Sequence, residues 1–131
     1  MSGISRIQCP VLRDRVMTAE EAAELIPNGA TVGMSGFTGA GYPKAIPGAL
    51  AKRIGKINET GGRFRINVWT GASTAPELDG ALAEVDGIEM RLPFQTDPIC
   101  RNRINDGRMD YVDYHLSEVS QYAWSGFLGK M

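Results

Sequence analysis

Three short runs of the chain carry the residue types from which a small-anion site is built. They are 35–42 (Ser-Gly-Phe-Thr-Gly-Ala-Gly-Tyr), 71–74 (Gly-Ala-Ser-Thr) and 95–97 (Gln-Thr-Asp). In the first, Gly36, Gly39 and Gly41 stand just ahead of Pro43, a residue suited to the first turn of a helix. Glycines let backbone N–H groups approach an anion, and the helix dipole adds to the attraction. The same glycines also serve a tight strand-to-helix turn that holds nothing, and both readings stay open on the residues alone. The run is not a Walker A loop, because no Gly-Lys-Ser/Thr follows, and its glycine order does not fit Gly-x-Gly-x-x-Gly. In the second run, the hydroxyls of Ser73 and Thr74 can donate to a substrate carboxylate or cap a helix beginning near Pro76. Thr96 and Asp97 share this ambiguity, with Asp97 the more natural cap before Pro98.

Other reactive side chains point elsewhere. His115 is the sole histidine, close in sequence to Asp113, Ser117 and Glu118. Triad members are usually remote in sequence, so His115 is read as a structural residue. Cys9 and Cys100 have no metal-ligand spacing, and no metal site has enough ligands. They read as free thiols in a reducing cytosol. Lys52, Arg53, Lys56, Arg101 and Arg103 read as solvated helix charges. Trp69 and Trp124 read as core or buried-interface aromatics.

The elements that must position the three runs follow from periodicity. Thr18 with Glu21 forms a capping box ahead of the apolar stripe Ala22, Ala23, Leu25 and Ile26, and Asn28-Gly29 ends that helix. Strand character at 30–34, 65–70, 88–94 and 109–114 alternates with helix character at 44–56, 76–85, 98–105 and 116–128. Pro47 and Gly48 predict an irregular start to the second helix, and Ser117 is a possible cap for the last. Strand–loop–helix units in series imply an α/β fold: an open, mostly parallel sheet with helices on both faces and right-handed crossovers. Ligands of such sheets bind beyond the carboxyl ends of the strands, where all three runs fall. A nucleotide-binding domain of this architecture is a weaker reading, because the glycine order does not fit.

The whole is 131 residues, one domain's worth, with 43% hydrophobic residues and 14 basic against 15 acidic side chains. A net charge of −1 argues against nucleic acid or an acidic membrane surface as partner. No stretch is long and apolar enough to span a membrane, and residues 1–15 lack the apolar core of a secretory signal, so a cytoplasmic location is expected. The chain stops after a helix where such a fold would place another strand, which predicts an incomplete domain.

Several strings carry a resemblance. Asn28-Gly29 followed by Gly36-Phe37-x-x-x-Gly41-x-Pro43 resembles the N-terminal motif of class I CoA-transferases. The fuller run 35–44 is similar to the acetyl-CoA hydrolase/succinyl-CoA:acetate CoA-transferase branch, which also uses serine at the position of Ser35. So are Thr70-Gly71-Ala72-Ser73-Thr74, Pro93-Phe94-Gln95-Thr96-Asp97, Arg101-Asn102-Arg103-Ile104-Asn105 and His115-Leu116-Ser117-Glu118-Val119, in the same order and spacing.

The resemblance implies an enzyme that moves coenzyme A between acyl-CoA and a small carboxylate, or hydrolyses acetyl-CoA. In this family each half is an α/β sheet and the active site lies between the halves. A glutamate carboxylate carries the CoA as a thioester, but that residue belongs to the C-terminal half. None of Glu20, Glu21, Glu24, Glu59, Glu77, Glu84, Glu89 or Glu118 stands in its motif, so no catalytic residue is assigned.

Residues 1–131 are expected to be an incomplete N-terminal domain, inactive alone, whose partner is a C-terminal half or a further copy. CoA enters as a substrate, and no permanently bound cofactor is expected. Ser73 and Thr96 match hydroxyls that line the family's carboxylate pocket. Gly36, Phe37, Thr38, Gly39, Ala40 and Gly41 match the glycine loop that borders it. A non-catalytic partner subunit of a split CoA-transferase is the alternative.

Overall fold

The computed structural model describes residues 3–130. Its centre is a four-stranded, wholly parallel sheet in the order β1-β2-β3-β4, with β1 Thr31–Gly33, β2 Ile66–Trp69, β3 Ile88–Leu92 and β4 Asp110–Tyr111. The α/β class and parallel sheet are those expected from the sequence, whereas the crossover helices, expected on both faces, share one. Strand order equals chain order. Right-handed crossovers then return each helix to the same side of the sheet. Helix α3 (Ala45–Glu59), the segment through α4 (Ala81–Glu84) and helix α5 (Pro98–Asn105) do pack side by side. Helix α2 (Ala19–Glu24) lies against α3, and a short α1 (Pro10–Arg13) precedes it with no buried residue.

Between this helix layer and the sheet lies the core: Leu50, Ile54, Ile66, Val68, Leu78, Leu82 and Ile88 are at most 1% exposed. Burying such a side chain contributes about 1.5–3 kcal/mol each. Alternation in β2 explains the selection, since Ile66 and Val68 face the helices while Asn67 and Trp69 are only half-buried.

The capping box forms as expected. The Glu21 amide donates to Thr18 Oγ1 at 3.1 Å, and Glu21 Oε2 accepts from the Thr18 amide at 2.8 Å. Helix α2 ends at Glu24 with Leu25 as its C-cap, short of the Asn28-Gly29 stop expected from the sequence, and Asn28 has another role. Its Oδ1 accepts from the Arg65 amide at 2.8 Å and its Nδ2 donates to the Arg63 carbonyl at 2.9 Å, so it ties the entry of β1 to that of β2.

Helix α3 begins at Ala45 and runs smoothly to Glu59. The expected irregular start is absent because Pro47 sits in the first turn, where an N–H has no intrahelical partner in any case. Two basic residues read as solvated are not. Arg53 Nη1 donates to the Ala23 and Ile26 carbonyls at 2.8 and 2.7 Å, closing the C-terminal end of α2, and its guanidinium lies 4.8 Å over the Phe64 ring. Arg103 pairs with Asp86 at 2.8 Å, just past α4.

Other elements are shorter or differently built than their patterns suggested. Residues 76–84 open with a wide, π-type turn over Pro76–Gly80 before becoming α4. β3 stops at Leu92 because Pro93 has no N–H to continue the ladder. Helix α6 (Leu116–Trp124) ends at a left-handed Gly126: the Phe127 amide donates to the Tyr122 carbonyl at 3.0 Å and the Gly126 amide to the Ala123 carbonyl at 3.2 Å. That is a Schellman closure, with the Tyr122 and Phe127 rings 5.1 Å apart as its hydrophobic contact. His115, not Ser117, takes the N-cap position, and Ser117 Oγ is 2.7 Å from His115 Nδ1. Trp124 is no core residue in this chain, being 94% exposed. Among the described residues no helix is long and apolar enough to cross a membrane.

Candidate functional site

The glycine run folds as a tight hairpin beyond β1. Phe37 and Ala40 exchange both backbone hydrogen bonds, at 2.9 and 3.0 Å, around Thr38 (φ 47°) and Gly39 (φ 78°). Two successive positive φ angles are the signature of a type I′ turn. The Thr38 amide donates to the Ala72 carbonyl at 2.8 Å and the Gly39 amide to the Ser73 carbonyl at 2.9 Å. Four consecutive N–H groups, of residues 37–40, are thus committed to the protein itself. The helix that follows starts only at Ala45. These glycines bend the chain and lay it against the next loop, with the amides of 37–40 turned to protein acceptors.

That next loop, 71–74, is held from both sides. The Ser73 amide donates to the Phe94 carbonyl at 2.9 Å, which ties it to the run after β3. Ser73 itself sits at φ 55°, in the left-handed region that non-glycine residues rarely occupy. Gly71 packs so closely on the hairpin that a Cβ there would lie 1.7 Å from the Gly36 carbonyl oxygen. The three runs, separate in sequence, become one laced edge at the carboxyl ends of β1, β2 and β3.

Ser73 and Thr96 line the same open hollow of about 500 Å³ on this edge, together with Thr38, Gly39, Thr74 and Asp97. Of these, Thr96 is exposed, Ser73 is half-buried and Thr74 is buried. Thr74 points its hydroxyl inward, donating to Asp79 Oδ2. Asp97 serves as the expected cap. Its Oδ1 accepts from the Ile99 and Cys100 amides at 2.9 and 3.0 Å. Neighbouring Gln95 is buried, and its Oε1 has no hydrogen-bond partner among the described residues.

Beneath the hollow lies an ion pair that the sequence reading did not single out. Arg91 and Asp79 are both 0% exposed. Arg91 Nε donates to Asp79 Oδ1 at 2.8 Å and Nη2 to Oδ2 at 3.1 Å. The remaining guanidinium donors reach the Pro93 carbonyl at 3.0 Å and the Gly71 carbonyl at 3.2 Å. The available signal was a charge inside a strand of a parallel sheet, where near-continuous apolar runs are the rule.

On the outer flank, Tyr42 donates its hydroxyl to Glu77 Oε2 at 2.7 Å, and Lys44 Nζ lies 3.5 Å from Glu77 Oε1. The Tyr42 hydrogen bond holds the Glu77 carboxyl below its usual range and pushes the Tyr42 phenol up. Cys100, on the buried face of α5, has its thiol pushed up, chiefly by burial. His115 lies outside the hollow. Among the described residues, no group of three or more His, Cys, Asp or Glu gathers as a metal site would require.

A hollow at the carboxyl edge of a parallel α/β sheet is the place where folds of this class bind small ligands. Comparison with known proteins narrows the class. Residues 10–131 match the acetyl-CoA hydrolase/transferase N-terminal domain, and the chain belongs to that family. It is 44% identical over 117 residues to a succinyl-CoA:acetate CoA-transferase of Clostridium kluyveri, covering 89% of this chain and 21% of that protein. It is 44% identical over 113 residues to a propanoyl-CoA:succinate CoA transferase of Escherichia coli, covering 86% and 23%. An acetyl-CoA hydrolase of Saccharomyces cerevisiae is 44% identical over 111 residues, covering 82% and 21%. The chain therefore spans about a fifth of the length of the curated relatives it matches.

Proposed function

We infer that this chain is the N-terminal, carboxylate-holding part of an enzyme that moves coenzyme A between an acyl-CoA and a small carboxylate, or onto water. The observation that carries the reading is the shared hollow: Ser73 and Thr96, at the ends of different strands, border one space at the carboxyl edge of the sheet. Their hydroxyls would donate to the substrate carboxylate and orient it for attack. The hairpin 36–41 would form the wall of the pocket.

The nucleophile in this reading is a glutamate from the remaining part of the enzyme. Its carboxylate attacks the thioester carbonyl, expelling CoA thiolate and leaving an acyl-glutamyl anhydride. The thiolate then attacks the glutamyl carbonyl, releasing the first carboxylic acid as its anion and forming a glutamyl-CoA thioester. An acceptor carboxylate reverses these steps and leaves with CoA. Water in its place gives hydrolysis.

The names of the relatives, which include both transferases and hydrolases, support this substrate class. The exposed face of α6 supports a further polypeptide on this chain, because Leu116 is 85% and Trp124 94% exposed. Two free thiols, Cys9 and Cys100, agree with a cytoplasmic setting.

A chimaera tests the reading: residues 10–131 replace the matched stretch of the Clostridium kluyveri transferase. CoA transfer from succinyl-CoA to acetate is expected from the chimaera and not from the 131-residue chain alone. Turnover by the chain alone would refute a nucleophile supplied from elsewhere. A chimaera that folds and binds CoA without turnover would favour the alternative, a non-catalytic binding module.

A further inference from the structure

We propose that Arg91 and Asp79 are a positioning pair, buried beneath the two hydroxyl-bearing loops, that holds Ser73 in its left-handed conformation and so shapes the hollow. The link to a carboxylate substrate rests on the reading of Ser73 and Thr96 given above.

A buried ion pair is poorly explained by stability. Desolvation of the two charges offsets much of their attraction, and well-packed apolar residues often serve as well or better. What an apolar pair cannot do is fix the backbone around it. Arg91 does this in two places. It donates to the Gly71 carbonyl, two residues before Ser73, at 3.2 Å, and to the Pro93 carbonyl, one residue before Phe94, at 3.0 Å. The Ser73 amide in turn donates to the Phe94 carbonyl at 2.9 Å. These contacts close a ring: Arg91 to the Gly71 loop, that loop through Ser73 to Phe94, and Phe94 through Pro93 back to Arg91.

Asp79 completes the hold from the opposite side. It takes both the Arg91 fork and the hydroxyl of Thr74, the residue directly after Ser73. The loop is thus fixed two residues before Ser73 and directly after it. A left-handed φ in a non-glycine residue persists only where its surroundings over-determine it, and this pair supplies that determination. The planar guanidinium is specific to the task, since a lysine ammonium cannot span the carboxylate and two carbonyls in one fork.

Amide hydrogen exchange of the 131-residue chain, followed by NMR, separates positioning from stability. The double variant Arg91→Met/Asp79→Leu removes both charges together. It should fold with an unchanged or raised melting temperature and keep protection at Ile66. Its Ser73, Thr38 and Gly39 amides should exchange about tenfold faster or more, as local opening replaces hydrogen-bonded order. A folded double variant with those amides as protected as in the parent overturns the proposal.

Should that variant fail to fold, Thr74→Val removes only the hydroxyl. Ser73 exchange should still accelerate, and no acceleration overturns the proposal equally. The acetate KM of the chimaera carrying the double variant tells the two readings apart. A raised acetate KM with the amides released supports both. Released amides with acetate KM unmoved would keep the positioning pair and remove the carboxylate role from Ser73 and Thr96.

Discussion

Gly71 faces the carbonyl oxygen of Gly36 so closely that a methyl group on it would lie 1.7 Å away. The contact joins the loop after β2 to the hairpin after β1, backbone to backbone, with no flexible side chain to give way. It is the point where the edge of the sheet becomes one structure instead of adjacent loops.

Gly71→Ala should therefore destabilise the chain by about 1–3 kcal/mol, the range for overpacking a close-packed site. A thermal melt checks this. Gly48→Ala is the control, because a Cβ there meets nothing within 4 Å. That substitution in α3 should be neutral or stabilising, as expected of alanine replacing glycine inside a helix.

Ser73 holds a φ of 55° that glycine would adopt without strain. Ser73→Gly should leave stability within about 1 kcal/mol of the parent, with relief of strain set against the entropy of glycine in the unfolded chain. The same variant in the chimaera should bind acetate more weakly, because the hydroxyl is gone. Stability and acetate KM measured side by side separate the backbone's part from the side chain's.

Tyr42 sets the titration of Glu77. The hydrogen bond holds the carboxyl below its ordinary value of 4.5. A depressed folded value stabilises above the unfolded pKa, and that contribution is lost as pH falls through the folded one. In Tyr42→Phe, Glu77 should titrate closer to 4.5 and the acid side of the stability profile should flatten there. An NMR titration of the Glu77 side-chain carboxyl reads the shift directly.

The two thiols should react at very different rates. Cys9 is exposed, whereas Cys100 is 0% exposed and its thiol is pushed up by burial. The thiolate is the reactive form, so iodoacetamide at neutral pH should label Cys9 in the folded chain and reach Cys100 only on unfolding. Mass spectrometry of the labelled peptides checks it.

The parallel sheet was legible because its signals are local: period-two and period-three-to-four apolar patterns, a capping box at Thr18 and Glu21, and Pro98 behind the Asp97 cap. The convergence of the three runs was legible from topology, since every strand of a parallel sheet delivers its following loop to the same edge. What escaped depends on partners distant in sequence. The amides of Thr38 and Gly39 are taken up by Ala72 and Ser73, which no inspection of the glycine run reveals. Arg53 and Arg103 looked like surface charges because helix charges usually are, yet each meets acceptors near the end of another helix. Arg91 and Asp79 find each other only once β3 and the turn 76–80 are packed.

Steady-state kinetics of the chimaera with Ser73→Ala and Thr96→Ala, singly and together, test the central claim most directly. A hydrogen bond to a charged group is worth about 1.5–3 kcal/mol. Each substitution should then raise the acetate KM by about tenfold or more, leaving the succinyl-CoA KM within about twofold. An acetate KM unchanged in the folded double variant would contradict a carboxylate cradle at this edge of the sheet.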